Sequence, residues 1–216
     1  MKFIFAKEAL IASGITDGYR IREYLRKLDQ LLLNFRQQSS SKRNSFTIPQ
    51  ALFNWLWKKK PNRYKVNGSF RLNEVIDSEM SEGDQPVGNC LGLTLLYNCL
   101  LRKMGIHAQA LNLENAFGVG PHVLTVLRIY DATIDIENIL PDGFDYGGHK
   151  GNPSRLEWGD KELVADIYQS TGTELFQEGE FDEALRNYDM ALKLNPEYEK
   201  ARLNRAILLD RMTMER

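Results

Sequence analysis

Near the end of the sequence, small residues stand at Gly172, Ala184 and Ala191, tyrosines at Tyr168 and Tyr188, a glycine at Gly179 and a proline at Pro196. Small residues at helical spacing let two antiparallel helices approach closely, and the tyrosines fill the gaps beside them. Gly179 permits the turn between them, and Pro196 stops the second helix. The run Ala201-Arg-Leu-Asn-Arg-Ala-Ile-Leu-Leu opens one further helix before the sequence ends at Arg216. A hairpin of this kind cannot bury its own apolar face, and roughly three units are normally needed for independent stability. These helices must therefore lean on the preceding residues, with the last helix as a lid on the stack.

The same pattern resembles the tetratricopeptide repeat, with Leu175 standing where that family more often has tyrosine. The resemblance implies a helical hairpin plus a capping helix over residues 161–216, and a groove through which a protein or peptide partner could bind. Residues 1–160 then form a larger domain, of a size that can hold its own core.

Composition narrows the function classes. A formal net charge of -1 gives no bulk attraction for polyanions or anionic membrane surfaces, so neither nucleic acid nor a membrane is an expected partner. Hydrophobic residues reach 43%, enough for a core, yet no run approaches the roughly 18 apolar residues of a membrane span. The opening Met1-Lys-Phe-Ile-Phe-Ala-Lys-Glu is broken by charge too early for a secretory leader. Cys90 and Cys99, on one helix, would lie on opposite sides and roughly 13 Å apart along the axis, beyond the ~6 Å Cα separation of a disulfide. A reduced, cytoplasmic setting is expected.

Within the larger domain, residues 7–38 read as two helices separated by a turn at residues 15–18, the second carrying Ile21, Tyr24, Leu25, Leu28, Leu31 and Leu32 at helical spacing. Residues 39–44 read as a mobile polar loop and residues 51–57 as a short helix ending in Lys58-Lys59-Lys60, a solvated helix end. Residues 61–89, with Gly68, Gly83, Pro86 and Gly88, read as mostly irregular and as a wall of a cleft. From Cys90 to Met104 apolar residues point all round a helix, which belongs in an interior. Strands are expected over residues 108–113, 122–129 and 133–139. The fold class is α+β, a buried helix packed on an antiparallel hairpin.

The chemistry is concentrated on three of these elements. Cys90 begins the buried helix, where backbone N–H groups and the helix dipole favour a thiolate. Cys99, on the far side, reads as a small buried hydrophobe. His122 stands at the entrance of a strongly apolar strand, and the next strand offers Asp135 and Glu137 in an alternating pattern. A cysteine, a histidine to take its proton and a carboxylate to orient the ring make a nucleophilic triad. If two residues turn the chain between the strands, Asp135 and Glu137 share His122's face and Glu137 lies nearer to it. An oxyanion hole would need the Cys90 N–H and one more donor, for which Gln85 and Asn89 are the near candidates. His107 and His149 read as surface residues. With neither a CxxC pair nor an HExxH helix, no metal site is expected, and no cofactor is implied.

At these residues the sequence resembles the transglutaminase-like superfamily, within the papain-like cysteine fold, and looks especially like the bacterial SirB-type branch in which such a domain precedes tetratricopeptide repeats. The likeness is strongest over residues 63–77 and 88–148. It implies a papain-like core, with Cys90 as nucleophile, His122 as general base and acid, and Asp135 as the orienting acid, so that the family points to Asp135 where the register points to Glu137. Leu91 follows the cysteine where transglutaminases proper commonly carry an aromatic residue, which argues against cross-linking chemistry. The function so implied is a cysteine-dependent amide or ester hydrolase, or an acyltransferase, working through a thioester. The alternative is a non-enzymatic adaptor that presents the repeat to a partner.

Overall fold

The computed structural model describes residues 3–38, 47–129 and 131–214. The described residues form eight α-helices and a four-stranded antiparallel sheet, an α+β architecture. Helices α1 (Phe5–Ala12), α2 (Gly18–Gln38) and α3 (Thr47–Lys59) come first. The loop expected at residues 39–44 lies outside the described residues.

Helix α4 (Leu72–Met80) follows, within the segment expected to be irregular. It buries Leu72, Val75 and Ile76 at helical spacing, and the stripe ends in Glu79. That carboxylate interrupts the apolar pattern in sequence, yet it is fully buried against Arg63 and Lys59. The expectation of a solvated lysine cluster fails for the same reason. Lys60 is 2% exposed and donates to the Gly83 carbonyl at 2.6 Å, and Lys59 reaches Glu79 at 3.4 Å. Of this cluster only Lys58 is exposed.

Helix α5 (Cys90–Lys103) is the centre of the molecule, with every residue from Leu91 to Leu101 buried. It lies on one face of the sheet formed by β1 (Ala108–Ala116), β2 (Gly120–Ile129), β3 (Ala132–Ile136) and β4 (Leu156–Trp158), in the order β3-β2-β1-β4. Strand β4 pairs with only three residues of β1, too short a segment to announce itself in sequence. Alternation sends Ala108, Ala110, Val123 and Leu127 into the main core, and Leu111, Leu113, Leu124 and Val126 into a smaller cluster on the opposite face. A buried polar chain sets α5 against the sheet. Thr94 donates to the Val123 carbonyl, Thr125 donates to Asn98, and the Asn138 amide reaches Thr125 at 2.9 Å.

Helices α6 (Asp160–Gln177), α7 (Phe181–Leu194) and α8 (Glu199–Met214) complete the fold. At the hairpin a methyl group on Gly172 would lie 2.8 Å from the Tyr188 ring, so the close approach of α6 and α7 requires glycine there. The expected boundary near residue 160 carries no linker. Leu163, Val164, Ala165, Ile167 and Tyr168 of α6 belong to the main core and pack with α1, and only Ala184, Tyr188 and Leu208 form a buried cluster proper to the hairpin. Tyr198, between α7 and α8, stacks edge-on against Trp158 and donates to Asp166 at 2.5 Å. The C-terminal helices thus lean on the larger domain along α6 and at Trp158.

Candidate functional site

Cys90 is the first residue of α5, placed there by its neighbours. The Asn89 side chain accepts from the Gly92 N–H at 3.0 Å, a helix N-cap. The Ser69 carbonyl accepts from the Asn89 N–H and passes so close to Gly92 that a methyl group would meet it at 2.4 Å. The glycine of the Cys-Leu-Gly sequence therefore makes room for the backbone that holds the cysteine in place. The Cys90 thiol is half-buried and free, as is the fully buried Cys99. Burial pushes the Cys99 thiol far above its ordinary range, as suits an inert core residue.

His122 lies near the start of β2, opposite Leu113 of β1. Strand β3 stops at Ile136, opposite Thr125, so the beginning of β2 has no strand neighbour on that side. Into this space bends Glu137, fully buried, with its carboxylate oxygens 2.9 and 2.8 Å from His122 Nε2. Since Nε2 is committed to the carboxylate, Nδ1 is the nitrogen left for other partners, and the Cys90 thiol, which lines the same cleft, acts on the ring's protonation. Burial alone would lower the pKa of His122. Hydrogen bonds to Cys90 and Glu137 and the charges of both outweigh it, and the ring is raised to about 9. Burial likewise pushes Glu137 up, and hydrogen bonds from His122 and His149 override it and hold the carboxyl below its usual range.

The two strand acids are thus divided between two partners. Register explains which goes where, because Asp135 pairs with Val126, and each step along β3 moves the facing position back toward His122. Asp135 is 1% exposed and makes a two-pronged ion pair with Arg155, at 2.6 and 3.0 Å. The carboxylate at the imidazole is Glu137, so the family-derived position of Asp135 as the ring's partner does not match the geometry.

His149 corrects another expectation. Instead of lying on the surface it is 3% exposed, at the end of the 3-10 turn Gly147–His149, with Nε2 3.1 Å from a Glu137 oxygen. The glycine-rich sequence around it suggests an exposed loop, and the signal that could have revealed it is an aromatic cover supplied from afar. Phe117 stands edge-on to His149 and His122, and Tyr146 to His149. His107 is exposed. The donor atoms of His122, Glu137 and His149 lie within 4.8 Å of one another, close enough for one metal ion to reach all three. One oxygen of the carboxylate is also within hydrogen-bonding distance of both rings.

Cys90 and His122 open on a cleft of about 1070 Å³ whose far wall is built by α6 and α8. Asn89 lies at the cleft, its side-chain oxygen engaged in capping α5. Gln85 is exposed, donates to Ser81 at 3.4 Å and is not among the lining residues. Of residues 61–89, expected as a wall, only Asn89 lines it. A residue the sequence did not single out, Tyr64, brings its ring within electrostatic reach of both Cys90 and Glu137. Burial raises its pKa first, and those two charges raise it further.

Among the described residues no helix is long and apolar enough to cross a membrane. No curated protein and no solved structure matches the chain. The TPR repeat family model matches residues 172–212, from the middle of α6 to near the end of α8. From residue 172 onward the C-terminal helices thus match a TPR repeat.

Proposed function

We propose that the protein is a cysteine-dependent hydrolase or acyltransferase of amides or esters, with Cys90, His122 and Glu137 as its working groups. One observation carries this reading: a half-buried thiol at a helix start lines a cleft together with an imidazole that a fully buried carboxylate holds by hydrogen bonds. The resemblance to the transglutaminase-like superfamily supports the same chemistry. The reacting form is a Cys90 thiolate beside protonated His122: sulfur bonds to the substrate carbonyl carbon, and the resulting oxyanion collapses to a thioester on Cys90. The departing amine or alcohol leaves with the proton from His122. Water or an acceptor nucleophile then attacks the thioester, delivers its proton through His122 and restores the thiol. Glu137 keeps the ring oriented and compensates its positive charge.

Iodoacetamide alkylation at pH 7 is the direct test. Cys90 should react at least ten times faster than a free-thiol peptide, and His122→Ala should remove the advantage. A rate equal to the peptide's would end the proposal.

The TPR repeat favours a second reading, an adaptor, because such repeats form concave surfaces that hold partners and α6 and α8 wall the cleft. In that case Cys90→Ala would leave binding of a partner intact and no acyl-enzyme would be trapped with activated esters.

A further inference from the structure

The Glu137 carboxylate has three partners, the two imidazoles and the Ile139 N–H, which donates to Oε1 at 3.4 Å. One carboxylate oxygen lies 2.8 Å from His122 Nε2 and also 3.1 Å from His149 Nε2. The turn that carries His149 is itself tied down: Arg155 donates to the His149 carbonyl at 3.0 Å, and the same guanidinium grips Asp135. Backbone bonds from Glu137 N–H to the Gly143 carbonyl and from Tyr146 N–H to the Asp135 carbonyl, both 2.8 Å, fold residues 137–146 back along β3. Two carboxylates on one face of β3 therefore serve two layers, Glu137 on the imidazole and Asp135 on the arginine that fixes the turn behind it.

We infer that His149 and Asp135 are positioning residues for the proposed reaction, forming a relay Asp135–Arg155–His149–Glu137 that keeps the carboxylate of Glu137 on the His122 ring. A glutamate has one more rotatable bond than an aspartate, and nothing in β3 restrains it beyond Ile136, where the strand ends. A second donor on the oxygen that already faces His122 removes the rotation that would swing it away. The guanidinium fork is suited to this because two of its nitrogens engage the Asp135 carboxylate while one of them also reaches the His149 carbonyl, a paired geometry that an ammonium lacks. The groups that bear on His122 are Cys90 from α5, Glu137 beyond β3 and His149 from the turn, with Tyr64 in reach of the first two. Asp135 acts only through Arg155 and touches no reacting atom.

The inference rests on the thiol–imidazole reading, and its test separates the two. In the full-length protein, nitrogen-15 and proton NMR of the histidine rings follows the His122 Nε2–H resonance and the pH at which that ring titrates, independently of thiol reactivity. His149→Ala should abolish or broaden the hydrogen-bonded Nε2–H resonance and lower the His122 titration by about one pH unit. Alkylation of Cys90 at pH 7 should fall roughly tenfold. His149→Gln retains an amide donor and should recover most of both signals. Arg155→Lys, which keeps the charge and loses the fork, should shift the titration in the same direction, and combining it with His149→Ala should add little further. An unchanged or raised His122 titration in His149→Ala, or equal loss in His149→Gln, would overturn the relay even where Cys90 stays reactive. If instead wild-type Cys90 is inert while these NMR shifts occur, the chemical reading fails and the relay stands as the support of a buried imidazole.

Discussion

Among the described residues two glutamates are fully buried, and they differ in what neutralises them. Glu79, at the end of α4, meets Arg63 at 3.1 Å and Lys59 at 3.4 Å and does not line the cleft that holds Cys90. Glu137 meets two imidazoles, one of which lines a cavity together with the Cys90 thiol. Burial lowers the pKa of the Arg63 guanidinium and the Glu79 charge raises it back, but a guanidinium stays protonated through the whole physiological range. The first cluster is consequently a fixed-charge clip. The second holds an imidazole that releases its proton as the pH rises through about 9, and a proton that can leave is what acid–base chemistry requires. Burial and pairing are common to both, so neither property alone marks a functional site; the titratable partner and the access to solvent do.

The largest expected effect is on the clip. Arg63→Met leaves the buried Glu79 carboxylate with Lys59 alone against it, and breaking a buried pair in this way costs about 3–5 kcal/mol. Urea denaturation of Arg63→Met should give that loss, while Cys90 alkylation of the folded fraction stays within twofold of wild type. A loss below about 1 kcal/mol would mean water reaches Glu79, and the contrast between the two clusters would narrow.

The next effect is in the pH dependence of stability. His122 has a folded pKa of about 9, above its ordinary 6.5, so its contribution is fully present below about pH 6.5 and is lost as the pH rises through 9. A shift of this size corresponds to on the order of 3 kcal/mol. Glu137 runs the other way: its folded pKa is depressed, so its contribution is present above the usual carboxylate range and disappears as the pH falls. Denaturation midpoints measured at pH 6.5, 8 and 10 should fall for the wild type and far less for His122→Gln. The Arg63–Glu79 clip should add no slope over that window, and parallel slopes for the wild type and His122→Gln would show that the ring is not charged in the folded protein.

A smaller change separates the two carboxylates by function. Glu137→Gln keeps the shape and removes the charge, and alkylation should slow about tenfold with a stability loss of about 1–2 kcal/mol. Glu79→Gln should reverse the ranking, with the greater loss in stability and an unchanged alkylation rate. Equal effects on alkylation would place Cys90 reactivity under global stability and not under the local carboxylate.

What could be read in the sequence follows from how local each signal was. The TPR hairpin was legible because its determinants, Gly172, Ala184, Tyr188 and Ala191, sit at helical spacing within twenty residues and act on one another. Helix α5 was legible because burial on all sides leaves an apolar run with no polar face. Helix α4 was missed because Glu79, which sequence reasoning places in water, is paired with Arg63 sixteen residues earlier. The nearness of Glu137 to His122 followed from strand alternation and a two-residue connection, and the pairing of Ile129 with Ala132 has that spacing. His149 was not legible at all. Its burial depends on Phe117, thirty-two residues away, and on Arg155 holding its carbonyl, and neither is visible in a local glycine-rich string.

The finest probe of the comparison is Phe117 itself. This residue is half-exposed and has φ of 55°, a left-handed conformation that is unfavourable for a bulky side chain by roughly 1–2 kcal/mol. Its ring centroid lies 4.7 Å from that of His149 and 5.6 Å from that of His122, contacts worth about 0.5–1.5 kcal/mol each. Phe117→Gly removes the strain and the contacts together, so the stability near pH 6.5 should move by less than about 1 kcal/mol. Water admitted beside Glu137 would relieve the burial of His122 and also weaken its interaction with the carboxylate. Because the interactions outweigh burial in the intact site, their weakening should dominate, and the fall in stability should begin at a lower pH than in the wild type. A profile that keeps its wild-type position would make Phe117 a packing residue only, and the dryness of the Glu137 cluster would then belong to the β3 end and the 147–149 turn.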